Sequence, residues 1–276
     1  MKLNIDVDGV KLGLDTNILD VEVPAYLEIR VTSGIDWLDE ALGGGFVPTQ
    51  VVMLTGMPGA GKTTLALQLA DSLMATGTIC LYNSREESVP QIAKTVQRLG
   101  LQNGFVISQH LFLDDLLEHA DKLAKREKKR VLIIQDSLPT LDDGFYRNKR
   151  GESVMNSRTP LRAIRGLTEW AKHTHNIVVV INHVTKNGQA AGKQEVKHTL
   201  DTHIHVEISK EDNSRQLYAE KNRMGDTSSR YVIGMSSSGL RLLNKIDMTP
   251  SAPVEEEEEQ EEKPKKRRKK NHLRAA

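Results

Sequence analysis

Nine consecutive residues carry the most specific chemical signal in this chain. Glycines at their first, fourth and sixth positions let backbone N–H groups curl around a phosphate. The lysine supplies a compact cation for the β- and γ-phosphates, and the first threonine supplies a hydroxyl for Mg²⁺. We therefore predict a phosphate-binding loop (P-loop) that binds ATP with Mg²⁺. Its residues are Gly56, Met57, Pro58, Gly59, Ala60, Gly61, Lys62, Thr63 and Thr64.

A carboxylate far along the chain completes the predicted metal site. Residues 131–134 are an unbroken apolar run, typical of a buried parallel strand, and the run ends in Gln135-Asp136. An Asp at such a strand end is suited to hold Mg²⁺ through water beside Thr63, as the second acid of P-loop NTPases does. The alternative is an ordinary aspartate that caps a turn. With the P-loop present, we assign Asp136 to Mg²⁺ and to the bound nucleotide.

Polar residues also follow two other predicted strands. Glu86 and Glu87 come directly after the strand at 78–82, and His183 closes the apolar run 177–181. The carboxyl ends of parallel strands share one edge with the P-loop. One glutamate is therefore a candidate to orient the attacking water, and His183 is a candidate to sense the γ-phosphate. The alternative for the glutamates is that both belong to the first turn of a helix, and the alternative for His183 is that it faces solvent. Position alone does not decide whether Glu86 or Glu87 orients the water.

Alternating strand and helix patterns place these residues in an α/β fold. Three further strands follow without intervening helices, which indicates an antiparallel meander. We predict a RecA-like P-loop NTPase core: a mostly parallel, twisted sheet flanked by helices, with a C-terminal antiparallel β meander. The predicted helices are 33–42, one after the P-loop, 89–99, 113–127 and 159–175; the predicted strands are 51–55, 78–82, 131–134, 177–181, 204–208, 216–221 and 230–235.

Composition divides the chain into three parts. Residues 1–30 alternate weakly and predict an arm or a short strand pair, with oligomerisation as its expected role. Residues 31–246 form the ATPase core. Residues 247–276 predict a disordered tail, acidic and then basic. We interpret the tail as a DNA-binding segment restrained by its acidic block; a nuclear-import-like signal and a solubilising tail are the alternatives.

Bulk properties exclude several classes of protein. The net charge is +1, and the tail holds both signs in similar number, so a nucleic-acid site must be a local basic patch. Cys80 is the only cysteine, which excludes disulfides within the chain and cysteine-ligated zinc clusters. No apolar stretch in the sequence is long enough to span a bilayer, and the N-terminus has no signal-peptide pattern. We expect a protein of the reducing cytoplasm with no membrane partner.

Four segments resemble the bacterial RadA/Sms family, a branch of the RecA superfamily. The most specific is Lys-Asn-Arg-Met-Gly at 221–225, and the others are 32–48, 81–92 and 182–192. The resemblance covers about residues 30–243. With one cysteine and little chain after 245, we expect a core-only version, similar to phage-encoded RecA-like recombinases and single-strand annealing ATPases of a bacterial or phage-infected cell.

The resemblance implies an ATP site shared between subunits of a hexameric ring or helical filament. It implies that Glu86, rather than Glu87, acts on the attacking water. It also implies that Lys221 and Arg223 reach the γ-phosphate of a neighbouring subunit. A cation supplied in this way stabilises charge in the transition state and couples hydrolysis to assembly.

The resemblance also implies two DNA-contacting loops, at 139–158 and 184–199. Their cations suit phosphate contacts without base reading, although a single surface lysine is often only solvated. The candidate residues are Arg147, Lys149, Arg150, Arg158, Lys186, Lys193 and Lys197.

These features together predict a DNA-dependent ATPase of recombination or repair. It would bind single-stranded DNA and promote annealing, strand exchange or branch migration, with a single-strand-binding protein or replication and recombination proteins as further expected partners. The alternatives are a KaiC-like signalling ATPase or autokinase without DNA, and a hexameric DNA helicase.

Overall fold

A computed structural model describes residues 5–7, 10–12, 16–183, 194–209 and 213–248. Two of the predicted DNA contacts, Lys186 and Lys193, lie outside the described residues. So does the predicted charged tail from residue 249 onward. Among the described residues, we find no helix with the length and apolar character needed to traverse a bilayer.

Eleven strands and six α-helices are described. The strands are β1 (Ile5–Val7), β2 (Val10–Leu12), β3 (Val51–Gly56), β4 (Ile79–Ser84), β5 (Val106–Ser108), β6 (Val131–Asp136), β7 (Ile177–His183), β8 (Thr202–Ile208), β9 (Arg215–Asn222), β10 (Ser229–Ser236) and β11 (Gly239–Asp247). The helices are α1 (Asp36–Ala41), α2 (Lys62–Ala75), α3 (Val89–Leu99), α4 (Leu113–Glu127), α5 (Thr159–Thr174) and α6 (Gln194–Thr199).

Nine of the strands form one mixed sheet. Their order is β11-β10-β9-β8-β3-β7-β6-β4-β5. From β8 to β5 every neighbouring pair is parallel, and from β8 to β11 every neighbouring pair is antiparallel. The predicted fold class is confirmed. The strands β1 and β2 form a separate antiparallel pair within the predicted N-terminal arm.

Helices cover both faces of the parallel half of the sheet. Leu132 and Ile134 of β6 pack in a core cluster with α1, α2 and α3, whereas Val131 and Ile133 pack in a second cluster with α4 and α5. Because both faces are buried, every residue of β6 is inaccessible to solvent. This explains why the strand reads as an unbroken apolar run rather than as an alternating pattern.

Several element predictions were wrong or incomplete. The helix predicted from residue 33 begins at Asp36. Ser33 lies before the helix, where its backbone N–H donates to the Asp39 carboxylate. The short edge strand β5 and the final strand β11 were missed. The segment predicted as a loop at 184–199 contains α6 at its end. In β11, seven of nine residues are exposed, so its sequence lacks the signal of a buried strand.

Candidate nucleotide site

The carboxyl ends of four neighbouring strands bring the predicted site residues together. Gly56, which ends β3, is in register with His183, which ends β7. Asp136, which ends β6, is in register with Ser84, two residues before Glu86. The P-loop, the second acid, the glutamate and the histidine therefore lie along one edge of the sheet, as the sequence predicts.

The P-loop conformation depends on its glycines. Gly59 and Gly61 have φ values of +79° and +97°, which only glycine adopts readily, and Gly61 is the N-cap of α2. Lys62 is buried inside the loop, where its Nζ donates to the carbonyls of Gly56 at 2.9 Å and Met57 at 3.1 Å. Burial lowers the pKa of Lys62, and the charges of nearby carboxylates oppose that shift. The loop therefore holds the Lys62 amine at its centre.

Asp136 has the surroundings of a cation ligand. Its Oδ2 accepts hydrogen bonds from Thr63 Oγ1 at 3.1 Å and from the Tyr82 hydroxyl at 2.7 Å. Its Oδ1 is buried and has no hydrogen-bond partner among the described residues. Burial is the main cause that raises the pKa of this carboxyl group. A buried carboxylate oxygen without a partner, beside a threonine hydroxyl, fits a site for Mg²⁺.

Glu86 reaches the site with its carboxylate. Glu86 Oε1 accepts a hydrogen bond from the Ser137 hydroxyl and lies 2.8 Å from Nε2 of His183. Burial alone would raise the pKa of Glu86, but the bonds from Ser137 and His183 outweigh it and lower the pKa. An ionised carboxylate on this edge is able to accept a hydrogen bond from a water molecule.

Sequence reasoning missed Tyr82 and Ser137. Both contact the acids of the site, yet Tyr82 lies inside an apolar strand and resembles a core residue. One signal was available, because a buried tyrosine hydroxyl needs a polar partner and the neighbouring strand ends in Asp136. Ser137 follows Asp136 directly, but its contact with Glu86 depends on the pairing of β4 with β6.

The Lys-Asn-Arg-Met-Gly segment lies at the opposite edge of the sheet. The Arg223 N–H bonds to the carbonyl of Asp201, and the carboxylate of Asp201 accepts from the N–H of Val51, the first residue of β3. Val51 precedes Gly56 by five residues, which corresponds to roughly 17 Å along the strand. Lys221 is also held at this edge, since its Nζ donates to the carbonyls of Leu200 at 2.5 Å and Lys197 at 3.2 Å. Neither cation lies at the phosphate site of its own chain.

Two glycines join this segment to the loop after α1. A Cβ on Gly225 would lie 2.6 Å from the Cα of Gly43, and a Cβ on Gly43 would lie 2.7 Å from the carbonyl oxygen of Met224. Asn222 fixes the turn, because its Oδ1 accepts from the N–H of Met224 and from the Thr202 hydroxyl, each at 3.0 Å. Two of the motifs that carry the family resemblance are thus in direct backbone contact.

A family model described as the ATPase KaiC matches residues 31–245, well over half of the chain. The chain belongs to the KaiC ATPase family. A KaiC-like protein of Pyrococcus horikoshii OT3 has the same fold, with a TM-score of 0.62 and 18% identity over 78% of this chain and 99% of that one.

Curated relatives of this KaiC-family chain confirm the predicted resemblance to RadA. The chain is 36% identical to "DNA repair protein RadA" of Brucella abortus over 77% of its own length and 45% of the relative's. It is 34% identical to the protein of the same name from Aquifex aeolicus over 76% of its own length and 46% of the relative's. The chain spans about half the length of these curated relatives.

In this KaiC-family chain, the first predicted DNA loop, at 139–158, follows β6 and contains a small hairpin. Arg147 and Ser153 form an antiparallel bridge, and the Val154 N–H bonds to the carbonyl of Tyr146 at 2.8 Å. Four predicted DNA-contacting cations are exposed here: Arg147, Lys149, Arg150 and Arg158. From the second predicted loop, Lys197 is described on α6 rather than in a loop, and its Nζ lies 2.9 Å from Glu220 Oε2.

The same hairpin exposes two aromatic side chains that sequence reasoning missed. Phe145 and Tyr146 are 67% and 42% exposed, and their rings stack edge to face with centroids 5.0 Å apart. The guanidinium of Arg162 lies 4.8 Å from each ring centroid and pairs with Asp143. Adjacent aromatic residues among basic residues were a usable sequence signal for this surface.

Proposed function

We propose that this chain is a single-stranded-DNA-dependent ATPase of recombination or repair that works as a ring or filament. In this role it promotes annealing, strand exchange or branch migration. The observation that carries the proposal is the hairpin in the segment after Asp136, which exposes cations and stacked aromatics on the chain that leaves the nucleotide edge. The curated relatives, whose names describe DNA repair proteins, support the same class of function.

In this proposal ATP binds at the P-loop with Mg²⁺. Backbone N–H groups and Lys62 hold the phosphates, while Thr63 and Asp136 hold the cation, directly or through water. Glu86 orients a water molecule that attacks the γ-phosphorus, the bond to the β–γ bridging oxygen breaks, and ADP leaves. His183 contacts Glu86, so it is placed to link the state of the γ-phosphate to the segment that follows β7.

Lys221 and Arg223 act on the site of a neighbouring subunit. Their position at the far edge of the sheet supports this role, because neither lies near the phosphate site of its own chain. A cation that arrives only on assembly would stabilise the charge that develops on the transferred phosphoryl group. Hydrolysis would then require correctly stacked subunits.

The hairpin after Asp136 binds the DNA strand. Its exposed cations suit contacts with phosphates, and Phe145 and Tyr146 suit stacking with bases, a mode of binding that tolerates any sequence. Lys197 would add a contact from α6. Since the hairpin and Asp136 belong to one continuous segment, a strand held there is placed to influence the Mg²⁺ ligand.

Exposed apolar side chains on the arm support self-assembly. Ile18, Leu19 and Val23 are 79%, 87% and 62% exposed. Large apolar side chains grouped on one short segment favour burial against another protein surface. In a ring or filament of identical chains, the surface that covers them is a second copy of this chain.

The rate of ATP hydrolysis with and without single-stranded DNA tests the proposed function. We expect the oligonucleotide to stimulate hydrolysis and a Lys62→Ala variant to show no stimulated rate. An equal rate of ATP hydrolysis with and without DNA, together with phosphorylation of the protein, would contradict the proposal and favour a signalling autokinase. If DNA stimulates hydrolysis, unwinding of a duplex without annealing of complementary strands would favour a helicase.

A further inference from the structure

Two histidines and a glutamate converge on one face of the sheet beneath the P-loop. We call His203, His205 and Glu220 the His/Glu cluster. His203 and His205 are two residues apart on β8, so their side chains share one face. Nδ1 of His203 lies 2.8 Å from Glu220 Oε2, and Nδ1 of His205 lies 3.8 Å from Glu220 Oε1. One potential ligand atom from each residue lies within 4.8 Å of the others.

Strand alternation brings Glu220 to this face. Tyr218 of β9 is in register with His205, so Glu220, two residues later, lies on the same side of the sheet. His203 is in register with Lys221 and Ile204 with Ala219, so a β-bulge at Glu220 interrupts the ladder between β8 and β9 beside the cluster.

We propose that the His/Glu cluster binds a divalent transition-metal ion of the zinc type. Two imidazoles and one carboxylate are a ligand set that zinc accepts in four-coordinate sites, with the fourth position left to water. Bond lengths of 2.0–2.1 Å in such a site place neighbouring ligand atoms about 3.3 Å apart. The 2.8 Å and 3.8 Å separations involve different oxygens of Glu220, and one ligand atom from each residue lies within 4.8 Å of the others, so side-chain rotations would bring the three atoms to that spacing.

The surroundings of the cluster support metal binding. Nε2 of His203 lies 2.7 Å from the hydroxyl of Thr55, and hydrogen bonding of the second ring nitrogen orients a ligating histidine. The side chain of Glu220 is 31% exposed, which leaves a path for the ion from solvent.

Two cations face the cluster from neighbouring elements. Lys197 Nζ, on α6, lies 2.9 Å from Glu220 Oε2. Lys221 is the residue that follows Glu220 on β9. Lys197 competes with a metal ion for the same carboxylate. Its removal should therefore strengthen metal binding, whereas removal of a ligand should weaken it.

The position of the cluster gives the ion a structural role. Thr55 immediately precedes Gly56, and its hydroxyl also lies 2.9 Å from Nδ1 of His205. A metal ion here would tie β8 and β9 to the end of β3. It would thus support the base of the P-loop without touching the nucleotide, and the site is separate from the Mg²⁺ position at Asp136.

Titration of the full chain with Zn²⁺, without nucleotide or Mg²⁺, tests the proposal. Calorimetry should show one site per chain, and Co²⁺ should give the visible absorption of a four-coordinate ion. Glu220→Gln and His205→Gln should each bind Zn²⁺ at least about tenfold more weakly, and Lys197→Met should bind it more tightly. These variants avoid the buried His203, whose replacement endangers folding.

Two control variants remove other histidines. His173 is on the exposed face of α5, and His119 forms a pair with His110 in which the ring nitrogens lie 3.0 Å apart. His173→Gln and His119→Gln should leave Zn²⁺ affinity unchanged. Absence of binding, or equal affinity in Glu220→Gln, His205→Gln and the unaltered chain, would overturn the proposal and leave the cluster as a hydrogen-bond network.

Discussion

Substitution of Glu86 and of its neighbour Glu87 tests which carboxylate orients the attacking water. Glu86 contacts Ser137 and His183, so its carboxylate is placed to orient water. We expect Glu86→Gln to lower the rate of ATP hydrolysis by about 10²–10⁴-fold while nucleotide binding persists. Glu87→Gln is the matched control and should keep most of the rate. A large loss of ATP hydrolysis in Glu87→Gln with little loss in Glu86→Gln would assign the water-orienting role to Glu87 instead.

A Tyr82→Phe variant tests whether the hydrogen bond from β4 to Asp136 affects the proposed Mg²⁺ ligand. Its hydroxyl donates to Asp136 Oδ2, so Tyr82→Phe leaves this carboxylate oxygen with one fewer donor. We expect ATP hydrolysis to show a changed dependence on Mg²⁺ concentration, and stability to fall by about 1 kcal/mol. Tyr26→Phe, on the arm, is the control. An unchanged Mg²⁺ dependence in Tyr82→Phe would show that the bond does not tune Asp136.

Residue types predicted the P-loop and Asp136 because their chemistry restricts which residues are able to serve, but they left Glu86 and Glu87 open until the family resemblance favoured Glu86. Tyr82 and Ser137 could not be predicted in the same way. Their contacts arise when β4 and β6 pair, and that pairing is a property of the sheet rather than of either segment.

Contact between two distant parts of the chain explains the glycine at position 43, in the segment 32–48. Gly43 and Gly77 have similar φ values, +85° and +90°, but only a Cβ on Gly43 would strike backbone, at Met224. Alanine should therefore cost more at Gly43, by about 1–3 kcal/mol beyond its cost at Gly77. Urea unfolding of the two variants measures the difference. Equal losses would mean that φ strain alone accounts for both glycines.

The aromatic pair of the hairpin gives the element-scale test of DNA binding. Phe145→Ala and Tyr146→Ala should each weaken binding of single-stranded DNA by about 1–3 kcal/mol. The salt dependence of affinity should stay the same, because no phosphate contact is lost. Arg150→Ala is the matched comparison and should reduce the salt slope. Unchanged affinity in both aromatic variants would remove the rings from the DNA site.

Elements with strong patterns were predictable, and elements defined by their partners were not. The buried strands β3, β6 and β7 have long apolar runs, whereas β5 has three residues and β11 is mostly exposed. Gln135 is a buried polar residue at the end of the apolar run of β6, and the structure shows how it is accommodated. Its side chain accepts from Asn83 Nδ2 and donates to the carbonyl of Ser137, each at 2.8 Å, which satisfies a buried amide.

At the scale of the whole molecule, the fold and the family follow from the sequence, but the assembly does not. The sheet order, the KaiC family match and the RadA relatives agree with the predicted core. A single chain separates its P-loop from Lys221 and Arg223 by the length of a strand. We therefore infer that each ATP site is shared between two chains.

Mixing two inactive variants tests this claim most directly. Lys62→Ala removes the phosphate cation, and Arg223→Ala removes the cation offered to the neighbour. In a randomly mixed ring of equal parts, roughly one interface in four joins an intact P-loop to an intact Arg223. We predict that the mixture hydrolyses ATP faster than either variant alone. No recovery, despite co-assembly confirmed by pull-down of differently tagged chains, would contradict a site shared between subunits.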